Sequence, residues 1–291
     1  MNLRVGIVGI GNMGLAMAAR LRELGWPLAV RDIDASREAA AAAFGARPCD
    51  SAAVLASRCD CVIVVVVDAP QLDEVLFAAD GVLAAKPLPA CVMLCPTIAP
   101  ADTERCAARL AECGVACIDA PVSGGPARAR DGTMSLMLAC ADTLFERHRE
   151  LIEALSSKVF HLGVRIGDGA RTKLVNNLLA GVNLAGAAEA LALAERLGLD
   201  LSRTLEVIEQ SSGQSWIGSD RMRRAIADDF APRAHTTLLN KDTHLALAMA
   251  RAANFETPLG TAAAASFARA CDSGFAALDD ASLLKMLRQA P

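Results

Sequence analysis

The chain has 291 residues, enough for two domains with separate cores, and 53% of them are hydrophobic but only 3% aromatic. Its formal net charge of −4 and pI near 5.6 argue against nucleic acid or an anionic membrane surface as a partner. A core built mainly of Ala, Val and Leu is typical of helices packed on a parallel sheet. These properties favour an enzyme acting on a small molecule.

The first half of the chain alternates short apolar runs with charged segments rich in Ala and Leu. The runs lack polar alternation, which predicts strands buried on both faces. Helical charge spacing between the runs predicts helices, as at Leu15–Leu24 and Thr103–Glu112. This repetition predicts an α/β fold with a Rossmann-type doubly wound parallel sheet. The expected strands are Arg4–Ile10, Leu28–Val30, Cys61–Val67, Cys91–Leu94, Val115–Ile118, Ser135–Leu138 and Val159–Phe160.

After Gly163 the pattern changes to Ala-rich helical segments without strand-like runs. The glycine-rich stretch 163–169 marks the predicted boundary. We therefore expect a dinucleotide-binding Rossmann domain over residues 1–163 and an all-α C-terminal domain over residues 164–291. The longest apolar stretch, Leu178–Ala194, contains Asn183 and Glu189, which predicts a buried helix rather than a membrane span.

Ten cysteines are scattered along the chain, and none forms a Cys-x-x-Cys pair or combines with the four histidines at zinc-finger spacing. This pattern predicts free thiols, no metal site and a cytoplasmic location, where thiols stay reduced. The apolar start Val5–Ile10 runs into glycines without a cleavage site, so we expect no signal peptide. The histidines receive no chemical role.

The first predicted strand runs directly into a turn with Gly-x-Gly-x-x-Gly spacing, which indicates a dinucleotide site in this context. Gly9 permits the tight turn, Gly11 lets the backbone approach a pyrophosphate, and Gly14 lets the following helix pack on the strand. The N–H groups at the helix N-terminus would face the phosphates. The predicted cofactor contacts in this turn are Gly9, Ile10, Gly11, Asn12, Met13 and Gly14.

A second predicted strand ends at Arg31 and Asp32. A carboxylate there can accept hydrogen bonds from the adenosine ribose hydroxyls and repels a 2′-phosphate, which favours NAD. Arg31 keeps NADP as the alternative, because a guanidinium at that position can hold the phosphate. We also expect cofactor contacts at Thr97 and in the loop of Val66, Val67 and Asp68, because ligands bind beyond the carboxyl ends of parallel strands.

Four further segments resemble the β-hydroxyacid dehydrogenase family, which includes 3-hydroxyisobutyrate dehydrogenases and tartronate semialdehyde reductases. They are Cys95–Pro100, Asp119–Gly125, Gly169–Asn177 and Asn240–Asp242, and with the glycine turn they extend the resemblance over essentially the whole chain. A closer likeness is to the L-threonate dehydrogenase branch, at residues 75–77, 178–182 and 215–223. Asp68 departs from the apolar-Pro pair common at its position.

The resemblance assigns roles to residues that would otherwise look structural. It makes Lys173 the general acid/base, which agrees with the ability of a buried lysine to accept a hydroxyl proton. Asn176 and Asn177 lie three and four residues later, on the same helical face. The family also implies that Lys241 reaches the cofactor. The substrate-binding residues are expected to be Ser123, Gly124, Gly125, Asn176, Asn177 and Trp216.

The resemblance therefore implies an NAD-dependent dehydrogenase that oxidises a short hydroxylated carboxylic acid such as L-threonate. The polar segment Ser212–Ser215 favours a sugar acid over 3-hydroxyisobutyrate. The alternatives are a 3-hydroxyisobutyrate dehydrogenase, a tartronate semialdehyde reductase using NADP, or a non-catalytic dinucleotide sensor. The family implies a homodimer or homotetramer joined through the long helix after Gly169, and no membrane or nucleic-acid partner is expected.

Overall fold

The computed structural model describes residues 3–289, and the chain divides into two compact units, one ending at Lys173 and the other beginning at Leu174. The strands of the first unit are short, and most are apolar throughout. They are β1 (Val5–Val8), β2 (Leu28–Arg31), β3 (Arg47–Pro48), β4 (Cys61–Val64), β5 (Cys91–Leu94), β6 (Ala116–Asp119), β7 (Val122–Ser123), β8 (Ser135–Leu138) and β9 (Lys158–His161).

Six strands form one parallel sheet in the order β3-β2-β1-β4-β5-β6. The order reverses direction at β1, which is the mark of a doubly wound sheet and confirms the predicted fold. Val5 pairs with Leu28 on one side and Cys61 on the other, and Cys61 pairs in turn with Cys91. Every residue of β1, β4 and β5 is buried, as the continuous apolar runs predicted.

Several details of the strand prediction were wrong. β1 ends at Val8 rather than at Ile10, and β3 and β7 were not predicted. The run Cys61–Val67 was expected to be strand throughout, but β4 ends at Val64, because its neighbour β1 ends at Val8 and the N–H of Val65 makes the last bond, to the Val8 carbonyl. In addition, β8 and β9 do not join the large sheet. They form a three-stranded sheet with β7, in which β7 and β8 are antiparallel and β8 and β9 parallel.

Helices cover both faces of the large sheet. On one face, Met17 and Leu21 of α1 pack with Leu151 and Leu155 of α8. On the other, the core is built on α3, α4 and α5. The helices of this unit are α1 (Asn12–Glu23), α2 (Ala35–Ala43), α3 (Ala52–Ala56), α4 (Ala69–Phe77), α5 (Pro100–Glu112), α6 (Gly125–Asp131), α7 (Asp142–Arg147), α8 (Arg149–Leu155) and the start of α9 (Asp168–Arg196).

The second unit is helical over its described residues and packs around Leu184, Met222 and Phe267. In α9, Gly181 permits close packing, because a Cβ atom there would lie 2.7 Å from Thr243. By length and composition alone α9 could cross a membrane, and a third of its most apolar 18-residue window is buried. The prediction of a buried helix over Leu178–Ala194 was therefore wrong for most of that stretch. The remaining helices are α10 (Leu201–Glu209), α11 (Trp216–Ile226), α12 (Thr236–Ala252), α13 (Pro258–Ala270) and α14 (Ser282–Gln289).

Candidate active site

The glycine turn has the geometry that its spacing predicts. Gly9 adopts a φ of +88°, and a Cβ atom there would lie 2.4 Å from the Val65 carbonyl oxygen. At Gly14 a Cβ atom would lie 2.0 Å from the carbonyl oxygen of Gly9, so the helix crosses the turn only because the residue is glycine. A Cβ atom at Gly11 would meet nothing within 4 Å, which leaves the outer side of the turn open.

No side chain caps the N-terminus of α1, where Gly11 is the capping residue and Asn12 and Met13 begin the helix. Its first N–H groups therefore face the open side of the turn without a side-chain acceptor, which is the arrangement that binds a pyrophosphate. The uncapped helix and the space beside Gly11 fit a bound dinucleotide. The Ile10 side chain is fully buried and its N–H donates to Asp32, so its predicted contact with the cofactor stays a prediction.

Asp32 is fixed at the end of β2 by its own carboxylate. Its oxygens accept hydrogen bonds from the N–H of Ile10 at 2.6 Å and of Asp34 at 3.0 Å. Glu38 of α2, which sequence analysis did not single out, accepts from the N–H of Asp32 at 3.0 Å and from the Arg31 guanidinium at 3.1 Å. The Arg31 charge at this strand end is thus compensated within the chain by a carboxylate.

The loops after β4 and β5 lie at the same carboxyl edge as the glycine turn, because the strands are parallel and in register. Asp68 caps α4 by accepting a 2.9 Å hydrogen bond from the N–H of Gln71, and the Gln71 side chain accepts from the N–H of Val67 at 3.0 Å. The departure from the family pattern at Asp68 therefore has a local reason, since the carboxylate begins a helix. Val66 precedes this cap, and Thr97 lies three residues before α5.

Ser123 ends β7, and two glycines with positive φ follow it. Gly124 has a φ of +130°, and a Cβ atom there would lie 2.8 Å from the Arg128 side chain. Gly125 has a φ of +75° with nothing within 4 Å of a Cβ position. The result is a hydroxyl followed by the N–H groups of two glycines, the second of which has open space where a Cβ atom would lie, and this arrangement suits a carboxylate ligand.

Asp119, like Glu38, has a structural role that the sequence analysis did not predict. It ends β6, is 1% exposed, and accepts hydrogen bonds from the N–H groups of Gly167 at 2.9 Å and Ala170 at 3.2 Å. Burial raises the pKa of Asp119 to about 6, against the effect of these donors. Asp119 therefore connects the carboxyl end of β6 to the first turn of α9. Its donor Ala170 lies three residues before Lys173, which is itself buried.

In the second unit, four predicted or neighbouring residues form one hydrogen-bonded chain. Asn176 donates to the Asn177 amide oxygen at 3.0 Å, and the Asn177 amide nitrogen donates to Asp242 at 2.7 Å. Lys241 Nζ contacts the other Asp242 oxygen at 2.7 Å. Because Asp242 is buried, both its partners have fixed orientations. The family motif Asn240–Asp242 and the amides of α9 thus meet in this unit.

Trp216 is the first residue of α11, where the Ser215 hydroxyl caps the helix by accepting from the N–H of Gly218 at 3.1 Å. Its side chain is 48% exposed. The structure places it at a helix start, and its predicted contact with substrate stays a prediction.

Comparison with known proteins covers nearly the full chain. Residues 4–163 match the family model of the NAD binding domain of 6-phosphogluconate dehydrogenase. Residues 167–287 match the model described as NAD-binding of NADP-dependent 3-hydroxyisobutyrate dehydrogenase. The chain is 36% identical to L-threonate dehydrogenase of Cupriavidus necator, over 98% of this chain and 96% of that protein.

Two further comparisons broaden the range of substrates among the relatives. The 3-hydroxyisobutyrate dehydrogenase of Pseudomonas aeruginosa is 35% identical, over 98% of each chain. The crystal structure of 3-hydroxyisobutyrate dehydrogenase from Salmonella typhimurium superimposes with a TM-score of 0.90 at 34% identity, covering 97% of this chain and 99% of that one.

Proposed function

The chain belongs to the β-hydroxyacid dehydrogenase family and is an NAD(P)-dependent oxidoreductase, and from this premise we propose that it oxidises a short sugar acid of the L-threonate type. The observation that carries the proposal is the buried lysine Lys173 one helical turn before Asn177, an amide held by Asp242. A proton acceptor and a fixed amide on one helical face suit a substrate with neighbouring hydroxyl groups.

Different residues of this chain have different roles in the proposed reaction. When bound, the nicotinamide supplies the hydride acceptor. Lys173 takes the proton of the substrate hydroxyl at its Nζ atom, and Asn177 orients that hydroxyl. The Ser123 hydroxyl and the N–H groups of Gly124 and Gly125 bind the substrate carboxylate. Lys241, held by Asp242, adds positive charge near the cofactor, and Trp216 borders the substrate.

We propose NAD as the preferred cofactor. The support is Glu38, which lies 3.1 Å from the Arg31 guanidinium and so occupies the group that would otherwise hold a 2′-phosphate. Asp32 adds a second negative charge at the same strand end, which repels a phosphate and suits ribose hydroxyls. Gly9 to Gly14, with Val66, Val67, Asp68 and Thr97 on the neighbouring loops, form the rest of the proposed dinucleotide site.

We propose that the protein is a homo-oligomer joined through the exposed face of α9. The α9 stripe is defined as Val175, Leu179, Val182, Gly186 and Leu193. Its members follow one another at intervals of three or four residues up to Gly186 and of seven residues from there to Leu193, and Val175 and Leu179 are each 60% exposed. Gly186 has nothing within 4 Å of a Cβ position, so another helix can approach it closely. Glu189, exposed midway along the helix, favours a second copy over lipid as the occupant.

All ten cysteines are free thiols, including the exposed Cys113. This supports the proposal that the protein works in the reducing cytoplasm.

The catalytic proposal is tested with Lys173→Ala and, as control, Lys158→Ala, which changes an exposed lysine of β9. We expect kcat on L-threonate to fall about 100- to 10,000-fold in the first variant, because the general base is lost. NADH binding, followed by its fluorescence, should stay within about twofold. A Lys173→Ala enzyme that keeps more than a tenth of the wild-type kcat would contradict the assignment.

The substrate proposal is tested with L-threonate, D-erythronate, 3-hydroxyisobutyrate and tartronate semialdehyde, each with the NAD and the NADP form of the cofactor. We expect the highest kcat/KM for a four-carbon sugar acid with NAD. A higher kcat/KM for 3-hydroxyisobutyrate or for the semialdehyde would replace the proposed substrate and leave the catalytic residues in place.

A further inference from the structure

A cluster of metal-ligating side chains lies in the core of the first unit, away from the proposed active site. Cys61 and Cys91 are the first residues of β4 and β5 and pair in register, so their side chains project from the same face of the sheet. His148 lies between α7 and α8, whose helices cover that face. The two sulfur atoms and one imidazole nitrogen all lie within 4.8 Å of one another, and all three residues are buried.

We propose that Cys61, Cys91 and His148 form a structural zinc site. Zinc bonds of about 2.3 Å to sulfur and 2.0–2.1 Å to nitrogen, at tetrahedral angles, place ligand atoms about 3.5–3.8 Å apart. The separations, which are 4.8 Å or less, therefore need to close by about 1.3 Å at most. Two thiolates and one imidazole are the protein ligands of some zinc sites, in which a non-protein ligand such as water takes the fourth tetrahedral position, and the same would hold here.

The orientation of His148 is the second observation that points to a metal. Its Nδ1 atom lies 2.9 Å from the Leu144 carbonyl oxygen, so a proton on Nδ1 donates to the backbone and the lone pair resides on Nε2. Metal-binding histidines are oriented in this manner, by a hydrogen bond from the nitrogen that does not bind the metal.

Charge favours a divalent ion such as zinc over copper(I) at this site. Binding of Zn²⁺ displaces one proton from each thiol, and two thiolates with a neutral imidazole then leave the buried site without net charge. The ion would thus replace protons rather than add charge to the core.

The position of the cluster defines its role. Cys61 and Cys91 begin their strands, whereas the dinucleotide loops follow the strand ends, about 10 Å further along. A metal there would join two central strands to the α7–α8 junction and stabilise the unit without touching substrate or cofactor. The inference is independent of the proposed reaction, so its failure would leave the dehydrogenase assignment unchanged.

The first experiment measures metal in the full-length wild-type protein. The protein is purified with a phosphine reductant and without chelators, and a second sample is unfolded, stripped with a chelator and refolded with Zn²⁺ or Co²⁺. We expect about one zinc per chain after gel filtration, thiolate-to-cobalt charge-transfer absorption in the cobalt sample, and a Tm about 5 °C higher with zinc. Less than about 0.1 zinc per chain in both samples would overturn the proposal.

The second experiment compares Cys61→Ala, Cys91→Ala and, as matched control, Cys106→Ala, which removes a fully buried thiol outside the cluster. The first two variants should lose at least tenfold in zinc content and the charge-transfer absorption, and the control should keep both. NADH binding, measured in parallel, should be equal in the three variants. Equal zinc content in all three variants would overturn the assignment, and wild-type metal content tests the proposal even if a variant fails to fold.

Thiol titration under denaturing conditions, without reductant, distinguishes the remaining outcomes. With the ion chelated, ten thiols per chain are expected, the number of cysteines in the chain. If the wild type has two titratable thiols fewer than expected and the Cys61→Ala variant shows no such deficit, Cys61 and Cys91 form a disulfide. That result would overturn the metal site. Retention of copper(I) in preference to zinc would overturn the choice of ion.

Discussion

The two units of the chain differ in how much apolar surface they bury and in which groups pair with their buried carboxylates. In the first unit, β1, β4 and β5 are buried at every residue, and the buried carboxylate of Asp119 has backbone N–H groups as partners. In the second unit, the α9 stripe is exposed, and the buried carboxylate of Asp279 lies 2.9 Å from the Arg224 guanidinium. A sheet with helices on both faces encloses its own core, whereas a long helix in a small helical unit leaves one face uncovered.

The largest expected effect concerns the exposed face of α9. Leu179→Arg places a charge in the α9 stripe, and each copy in a dimer would lose one buried leucine, worth about 1.5–3 kcal/mol. We expect self-association to weaken by more than about 100-fold, measured by analytical ultracentrifugation over a concentration series. Val207→Arg changes an exposed valine of α10, outside the stripe, and should leave assembly unchanged. If both variants associate like the wild type, the stripe is not the interface.

The next effect tests buried charge in the second unit. Asp279 also accepts from the N–H groups of Arg233 and Ala281, and Arg221 lies 3.9 Å away. Asp279→Ala removes the nearer carboxylate partner of the buried Arg224 guanidinium and leaves only Asp220, at 3.6 Å. This should lower the free energy of unfolding by about 3–5 kcal/mol in urea titrations. Asp272→Ala, at an exposed position, is the control and should change it by less than about 0.5 kcal/mol. If Asp279→Ala lowers the free energy of unfolding by less than about 1 kcal/mol, the buried ion pair does not stabilise the second unit.

The carboxylate of the first unit should show the opposite dependence on pH. The folded pKa of Asp119, about 6, lies above its ordinary value of 3.8, so the folded state retains the proton longer than the unfolded state. The contribution of Asp119 to stability is therefore full below about pH 4 and falls by about 2–3 kcal/mol as the pH rises through 6. The pKa of Asp279 is lowered by Arg224 against its burial, so its contribution is lost instead as the pH falls through the acid range.

Asp119→Asn checks this sign, because an amide cannot titrate. The difference in unfolding free energy, wild type minus variant, should fall by about 2–3 kcal/mol between pH 4 and pH 7. A difference that stays constant over this range would show that Asp119 has the same pKa in both states. Asp142→Asn, at an exposed position, serves as the control.

The smallest expected effect distinguishes the contribution of Glu38 to cofactor preference from that of Asp32, the other carboxylate near the end of β2. Glu38→Gln removes the carboxylate that compensates Arg31, so the guanidinium becomes available to a 2′-phosphate. We expect the ratio of kcat/KM for NAD to that for NADP to fall about tenfold, or about 1.4 kcal/mol. Glu74→Gln, in α4, is the matched control. An unchanged ratio would mean that Asp32 alone determines the preference.

Local features of the fold followed from the sequence. The glycine turn, the alternation of strands and helices, and the switch to helices after residue 163 depend on neighbouring residues. The end of β4 was misjudged, because Val65 to Val67 are as apolar as the strand before them while the partner strand β1 stops at Val8. Hydropathy reports burial, but strand pairing depends on the neighbour. The predicted domain boundary after residue 163 stays a prediction.

Some of the site depended on contacts between residues far apart in the chain. Lys173 and Asn177 were selected by resemblance to a family, and the hydrogen bond from Asn177 to Asp242 joins residues 65 positions apart. Asp119 was visible in a motif, but its donors Gly167 and Ala170 come from the start of another element. Glu38 belongs to no motif that would have singled it out in the sequence.

The sequence by itself determined the dinucleotide turn, because a Gly-x-Gly-x-x-Gly turn between a buried strand and a helix needs only local backbone freedom. It also determined which segments are buried in the sheet, because continuous apolar runs have few other stable environments. Only the tertiary structure decided that Glu38 compensates Arg31 and that His148 meets Cys61 and Cys91. Such meetings depend on strand order and helix placement, which result from packing the whole unit and leave no periodic trace in the chain.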